Sequence, residues 1–284
     1  MKILVTGASG GLGGLVIESL LAAGHQVVAT SRNAGKAATL PFYDKVIYKP
    51  YNIDSTGDQN LFTYFEQPDA AIHLAWEKLN EYKNEEHLGR ILTSHKQFLT
   101  NLIEHGLKNL TVAGTVYEYG LREGELSEDL PPAPIMPYPA AKNQLRVYLE
   151  ALRTRYPFSL KWLRIFYVFG EIKERKNLYT LLLNAVLNGD KTFNMSGGEQ
   201  VRDFLSPRQI AAIICSAAPQ QKVDGIINCC SGKPVKLKDF IASFLQNNGY
   251  DIELNLGYYP YPDYEPMQTW GSVTKLNSLL EAAK

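Results

Sequence analysis

Tyr138 and Lys142 stand four residues apart, the spacing that sets two side chains on one face of a helix. A tyrosine hydroxyl, with a pKa of about 10 in water, is a poor base at neutral pH. A neighbouring ammonium favours the phenolate and draws that value down, so the pair can pass a proton to or from a substrate oxygen. Thr115 follows a β-branched run and offers a hydroxyl that can hydrogen-bond the same oxygen. Each residue also has a plainer reading, an interfacial tyrosine beside a surface lysine and a strand-end turn residue. Their positions relative to the rest of the chain decide between the two.

That position is marked by Thr6-Gly7-Ala8-Ser9-Gly10-Gly11-Leu12-Gly13, which follows an apolar run at once and opens an amphipathic stretch. Glycines at 7, 10 and 13 allow a tight turn, a close backbone approach to a pyrophosphate and tight packing of helix on strand, with the helix N–H groups facing the anion. The segment is expected to bind a dinucleotide through Gly7, Ser9, Gly10, Gly11, Leu12 and Gly13. An acid at the end of the second strand would select NAD through its ribose 2′-hydroxyl. Here that place reads Ala29-Thr30-Ser31-Arg32. Arg32 offers a charged fork for a 2′-phosphate, so NADP is the expected cofactor with NAD possible. The alternative is that Arg32 is a solvated charge.

The elements that must position these residues alternate short β-branched runs with helical stretches, the pattern of a parallel sheet built from βαβ units. Strands are expected at 2–5, 26–30, 45–48, 70–74, 109–113 and 159–166, and helices at 12–23, 59–65, 85–105 and 140–155. The run Leu130-Pro131-Pro132-Ala133-Pro134-Ile135-Met136-Pro137-Tyr138-Pro139 reads as a loop throughout, because prolines at this density fit neither helix nor ladder. Beyond residue 170 the alternation loosens around helices near 179–187 and 207–218. The expected fold is therefore α/β, a Rossmann-type doubly wound parallel sheet over residues 1–168 with a small C-terminal α/β substrate lobe over 169–284, both parts of one folding unit.

Composition limits the partners. The 29 basic and 29 acidic residues cancel, which argues against a protein that neutralises nucleic acid or an anionic membrane. Cys215, Cys229 and Cys230 are too few and wrongly spaced for a disulfide framework or a cysteine zinc site, and a reducing cytoplasm fits them. The longest apolar stretch, 210–218, is too short to span a bilayer. Histidines 25, 73, 87, 95 and 105 lack ligand spacing, so no metal is expected. The cluster Lys173-Glu174-Arg175-Lys176 reads as a solvated loop or a lid facing a diphosphate. Tyr258, Tyr259, Tyr261 and Tyr264 stack on a ligand or pack under a proline-rich tail, and Trp76 touches a substrate or belongs to the core.

Taken together, Thr6–Gly13, His73-Leu74-Ala75, the block Ala113-Gly114-Thr115 with Glu118-Tyr119-Gly120, and Tyr138 with Lys142 resemble the extended short-chain dehydrogenase/reductases. The resemblance continues through Leu163–Gly170, Gly198–Phe204 and Asn228–Pro234, and it looks most like the nucleotide-sugar branch that includes 4-keto reductases. It implies that Tyr138 is the general acid/base, that Lys142 orients the nicotinamide ribose and tunes Tyr138, and that Thr115 polarises a sugar carbonyl. Leu74, Ala75 and Tyr167 would line the cofactor channel, and Arg202 and Asn177 would meet a nucleotide-sugar diphosphate. Val116 and Tyr117 stand where dehydratases of the branch carry Asp-Glu, which argues against dehydration and puts these two beside the substrate. Asn52-Ile53 replace an adenine-contacting Asp, and Arg90–Ser94 lack the Asn that relatives place near the active site, leaving the proton relay behind Lys142 unassigned. The implied activity is NADP-dependent reduction of the C4 ketone of a nucleotide-linked 4-keto-6-deoxyhexose, yielding the dTDP forms of D-fucose or 6-deoxy-L-talose. A 4-epimerase with retained NAD is the enzymatic alternative, and a non-catalytic NADP-binding sensor the other. By analogy with the family the chain is expected to form a homodimer.

Overall fold

The computed structural model describes residues 1–55, 57–172 and 176–283, so Lys173, Glu174 and Arg175 of the mixed-charge cluster lie outside the described residues. A seven-stranded sheet forms the centre. Its strands, numbered in chain order, are β1 (Lys2–Thr6), β2 (Gln26–Thr30), β3 (Ile47–Tyr48), β4 (Ala70–His73), β5 (Asn109–Thr115), β6 (Ser159–Ile165) and β7 (Gly225–Cys229). The order across the sheet is β7-β6-β5-β4-β1-β2-β3, with every neighbouring pair parallel. The chain moves outward from β1 in both directions, so a crevice opens where β1 and β4 end side by side.

Both faces of the sheet are covered, as a parallel sheet requires. Ile3 and Val5 point into one core and Leu4 into the other, following the period-two alternation of a strand. The first core is closed by α1 (Gly11–Ala22) and the second by α2 (Arg90–Glu104) and α3 (Pro137–Leu152). Beyond these lie α4 (Leu178–Asn188), α5 (Pro207–Ala217), α6 (Leu237–Asn248) and α7 (Thr274–Ala282). Phe169, Leu182, Phe193, Met195, Ile241 and Leu245 form a separate core for the small lobe.

Four expectations change. β7 joins the sheet beside β6, and Ile210, Ile227, Leu276 and Leu279 lie in the same core as α1. The chain thus returns to the main layer after 168, and a division at that residue splits one core. The proline-rich run is not a loop to its end, because α3 starts at Pro137. Proline is compatible with a helix's first turn, where its missing N–H has no intrahelical acceptor to lose. The expected helix 85–105 is broken: a 3-10 turn covers Glu85–His87 and α2 starts after Gly89. β3 is likewise shortened, with Tyr43–Lys45 in a 3-10 turn.

A buried ion pair fixes the end of β5. Glu118 and Arg164 are both fully buried, with Arg164 Nε donating to Glu118 Oε2 at 3.0 Å. The same carboxylate accepts from Trp162 Nε1 at 2.9 Å and from the backbone N–H of Thr115 at 2.9 Å. A Cβ on Gly114 would lie 2.7 Å from that carboxylate, so glycine is required for the close approach. Removing one member of a buried pair strands the other's charge, a loss of about 3–5 kcal/mol. Glu118→Ala is therefore expected to lower unfolding stability by about that amount, read from urea denaturation midpoints at constant m. A change below about 1 kcal/mol would show that the pair is not what holds β5.

Candidate active site

A cleft of about 970 Å³ runs from the Gly7–Gly13 loop, past the ends of β1, β4 and β5, to Arg202 and Glu265. Every residue expected from the sequence to bind cofactor or substrate lines it.

At one end the loop packs backbone to backbone. Gly7 has φ +71°, and a Cβ there would lie 2.9 Å from the Ala75 nitrogen, while a Cβ on Gly13 would run into the Gly7 carbonyl. The Gly10 N–H donates to the Gly7 carbonyl at 2.9 Å, and Gly10 caps α1 without any side-chain hydrogen bond. The first N–H groups of α1 are thus left for an anion. This cradle, which side chains would fill, fits the pyrophosphate of a dinucleotide. Leu74 and Ala75 both donate backbone N–H to Thr6 Oγ1 at 3.2 Å, which ties the β4 end to the loop. Asn52 accepts from the Asp54 N–H at 3.3 Å and, with Ile53, forms the far wall.

Arg32 is 61% exposed, and its guanidinium is paired with Glu77. Glu77 also takes Arg90 at 2.6 Å, and Arg90 reaches Asp54 as well. Arg32 therefore lines the cleft but does not stand alone as a cation awaiting phosphate.

Tyr138 and Lys142 lie in the first turns of α3 and face the cleft. The Tyr138 ring stacks on Tyr82 at 5.3 Å and 21°, and its N–H donates to the Tyr82 carbonyl at 3.1 Å. Lys142 is 2% exposed. Its Nζ donates to the Ala113 carbonyl at 2.9 Å and lies 4.0 Å from the centre of a Trp76 ring. Burial pulls this lysine down to about 7, opposed by the charge of Glu118. Thr115 caps the turn Val116–Tyr119, and its Oγ1 accepts from the Tyr117 N–H at 3.4 Å, leaving its own proton to donate.

Three histidines that the sequence reading set aside are buried behind this pair. His73 bonds Thr6 Oγ1 at 3.0 Å and His95 at 2.7 Å, and His95 stacks on Trp76 at 4.5 Å. His87 accepts from Trp76 Nε1 at 3.1 Å, so its other nitrogen donates to the Glu81 carbonyl at 3.0 Å. Burial lowers all three, His73 to about 3, and they are neutral at physiological pH. Trp76 accordingly packs beneath Lys142 in a T-shaped contact with Tyr138 while it also lines the cleft. Among the described residues no three His, Cys, Asp or Glu side chains are grouped to hold a metal.

At the other end Arg202, 3% exposed, donates to Glu265 at 2.9 Å and lies over the Tyr167 ring at 4.8 Å. Tyr117 donates to the same carboxylate at 2.7 Å. Burial and Glu265 push the Tyr117 hydroxyl well above its usual range, so it stays protonated. Val116 is buried beside it. Asn177 caps α4, accepting from the Thr180 N–H at 2.9 Å and donating to the Gly170 carbonyl at 3.2 Å. Much of its hydrogen-bonding capacity is therefore used in the fold. Tyr264 lines the cleft, whereas Tyr258, Tyr259 and Tyr261 are exposed. Sequence reasoning missed Tyr82 and Glu265, which come from loops without periodicity, and it missed the histidines because their partners lie on different elements.

Known proteins are similar to this chain along most of its length. A dTDP-6-deoxy-L-talose 4-dehydrogenase (NAD(+)) from Aggregatibacter actinomycetemcomitans is 30% identical over 273 residues, covering 96% of this chain and 100% of that protein. A GDP-6-deoxy-D-talose 4-dehydrogenase from the same organism is 25% identical over 82% of this chain and 75% of its own. Among solved structures, a UDP-glucuronic acid 4-epimerase from Bacillus cereus superposes with a TM-score of 0.82 at 23% identity, covering 99% of this chain and 93% of the other. Residues 3–230 match the NAD dependent epimerase/dehydratase family, and the chain belongs to it.

Proposed function

We propose that the protein interconverts ketone and hydroxyl at C4 of a dTDP-linked 6-deoxyhexose, working as a 4-keto reductase. The observation that carries this reading is that Thr115, Tyr138 and Lys142 line one stretch of the cleft between the glycine cradle and Arg202. The dinucleotide, when bound, supplies the hydride. Tyr138 holds a proton at its hydroxyl and releases it to the C4 oxygen as that oxygen gains charge. Thr115 donates to the same oxygen, and the Lys142 ammonium favours the resulting phenolate. Gly7, Gly10 and Gly13 hold the pyrophosphate, and Arg202 meets the sugar's diphosphate by exchanging Glu265 for phosphate oxygens.

The 6-deoxy sugar is supported by the walls beside Tyr138. The Tyr82 and Tyr117 rings lie 5.4 Å apart and tilted at 56°, and Val116 is buried next to Tyr117, an apolar setting that suits a methyl group. A dTDP nucleotide is supported by the talose dehydrogenase that this chain matches end to end. Val116 and Tyr117 supply no carboxylate to expel water, which leaves dehydration without an acid at that position.

Two cofactor readings each rest on one observation. Arg32 at the end of β2, with no acid there, favours NADP. The carboxylate of Glu77 already on that guanidinium favours NAD, because a 2′-phosphate must displace it. The talose dehydrogenase, by its name, uses NAD(+). We place NAD first because the talose dehydrogenase that this chain matches end to end carries NAD(+) in its name.

Purified protein given dTDP-4-keto-6-deoxyglucose, with and without a 3,5-epimerase, is expected to oxidise NADH, with NADPH run in parallel. Tyr138→Phe should lower kcat by about 10²–10⁴-fold and leave dinucleotide affinity nearly unchanged; undiminished turnover would remove Tyr138 from the chemistry. If no ketone is reduced but unreduced nucleotide sugars are interconverted, the enzyme is an epimerase instead. Glu77→Gln releases Arg32 and is expected to tighten NADPH several-fold more than NADH, whereas Arg32→Ala should erase that gain in the double variant. Equal responses of the two cofactors would show that Arg32 does not face the 2′ position.

A further inference from the structure

The reaction proposed above asks Lys142 to be charged in a place that opposes charge. Among the described residues no carboxylate pairs with its ammonium, and the acceptor given to it is one carbonyl, Ala113. Glu118, whose charge acts on Lys142 from the turn after β5, is occupied by Arg164, Trp162 and the Thr115 N–H. What remains beside the ammonium is the face of Trp76, 4.0 Å from Nζ to the ring centre. Such a face attracts a desolvated cation through the ring quadrupole.

The indole is held for this task on more than one side. Its N–H donates to His87, whose own second nitrogen is fastened to the Glu81 carbonyl. The His95 ring lies parallel to it at 4.5 Å and 20°, and His95 is fixed in turn by His73 and Thr6. Because these imidazoles are neutral, they support the indole without adding a competing positive charge. The titratable groups around Lys142 are thus Tyr138 on its own helix and, coupled to it through charge, Glu118 after β5, His73 on β4, His95 on α2 and His87 on the 85–87 turn.

We propose that Trp76 is the positioning residue of the active-site lysine: its indole face, clamped by His87 and His95, keeps the Lys142 ammonium charged and in place where, among the described residues, no carboxylate pairs with it. This rests on the reading of Lys142 as the partner of Tyr138, but its test does not require turnover. In protein labelled with 13C at lysine Cε, the Lys142 resonance is identified by its loss in Lys142→Met, and its titration is followed by NMR. Removing the ring in Trp76→Leu is expected to move that titration down by about one pH unit, with Trp76→Phe between the two. Where Trp76→Leu fails to fold, mono- and difluorotryptophan placed at position 76 alone weaken the ring face at nearly constant shape, and the titration should fall stepwise with fluorine number. The alkaline limb of kcat against pH should fall with it, since the charged lysine is lost sooner as pH rises. A Lys142 titration that stays constant across the fluorinated series, or that Phe and Leu shift equally, overturns the proposal. Absence of turnover with the expected titration intact would instead overturn the reductase reading and leave Trp76's role standing.

Discussion

The reacting end of this molecule depends on one constraint, the placement of the Lys142 ammonium in a site nearly closed to water. Moving an ammonium out of water is strongly unfavourable unless donors and charges around it are matched. The fold meets that requirement sparingly, with the Ala113 carbonyl at 2.9 Å and an aromatic face at 4.0 Å. The result is a lysine that burial pulls down to about 7. Much of the surrounding structure follows from keeping those two contacts fixed. The Ala113 carbonyl belongs to β5, whose end is fastened by Glu118 through the Thr115 N–H, and Glu118 is fastened by Arg164 and Trp162. The buried ion pair is thus also the support of Thr115, the residue proposed to face the substrate's oxygen.

A second line of contacts joins this end of the cleft to the cofactor cradle. Thr6 precedes the glycine loop and accepts N–H groups from Leu74 and Ala75 while bonding His73. From His73 the contacts pass through His95 to Trp76 and so to Lys142. The close approach of Gly7 to Ala75 sets the distance between β1 and the end of β4. The backbone geometry that makes room for a pyrophosphate therefore also sets the depth at which the histidines and the indole lie.

How much of this was legible in the sequence divides along physical lines. The glycine spacing, the Tyr138–Lys142 spacing and the alternation of strands and helices are local signals, and the sheet, the cradle and the pair all follow from them. The proline run misled at Pro137 because composition was weighed without position, and a helix's first turn is the place where proline fits. β7 was not foreseen because Gly225–Cys229 enters the sheet only after α4 and α5 have intervened since β6. The histidines lack metal-ligand spacing in the sequence, yet His73 and His95 are 22 residues apart and hydrogen-bond at 2.7 Å. Buried polar networks of this kind are tertiary and leave no periodicity to read. Arg32 shows the converse: its residue type suggested a phosphate partner, and only the folded chain revealed Glu77 on it.

Arg32 and Arg202 set the two ends of the cleft in similar electrostatic terms. Each guanidinium that could take a phosphate is already paired with a glutamate, Arg32 with Glu77 and Arg202 with Glu265. A ligand phosphate therefore exchanges one anion for another and gains only the difference between two ion pairs, plus whatever the released carboxylate recovers in water. The two exchanges are unequal. Arg32 is largely exposed, so its pair with Glu77 contributes little and little is lost when it opens. Arg202 is 3% exposed and Glu265 17%, so there the incoming anion must replace a desolvated partner that Tyr117 also holds. A doubly charged diphosphate satisfies that guanidinium better than one carboxylate does. Discrimination between ligands should therefore be sharper at the Arg202 end than at the Arg32 end.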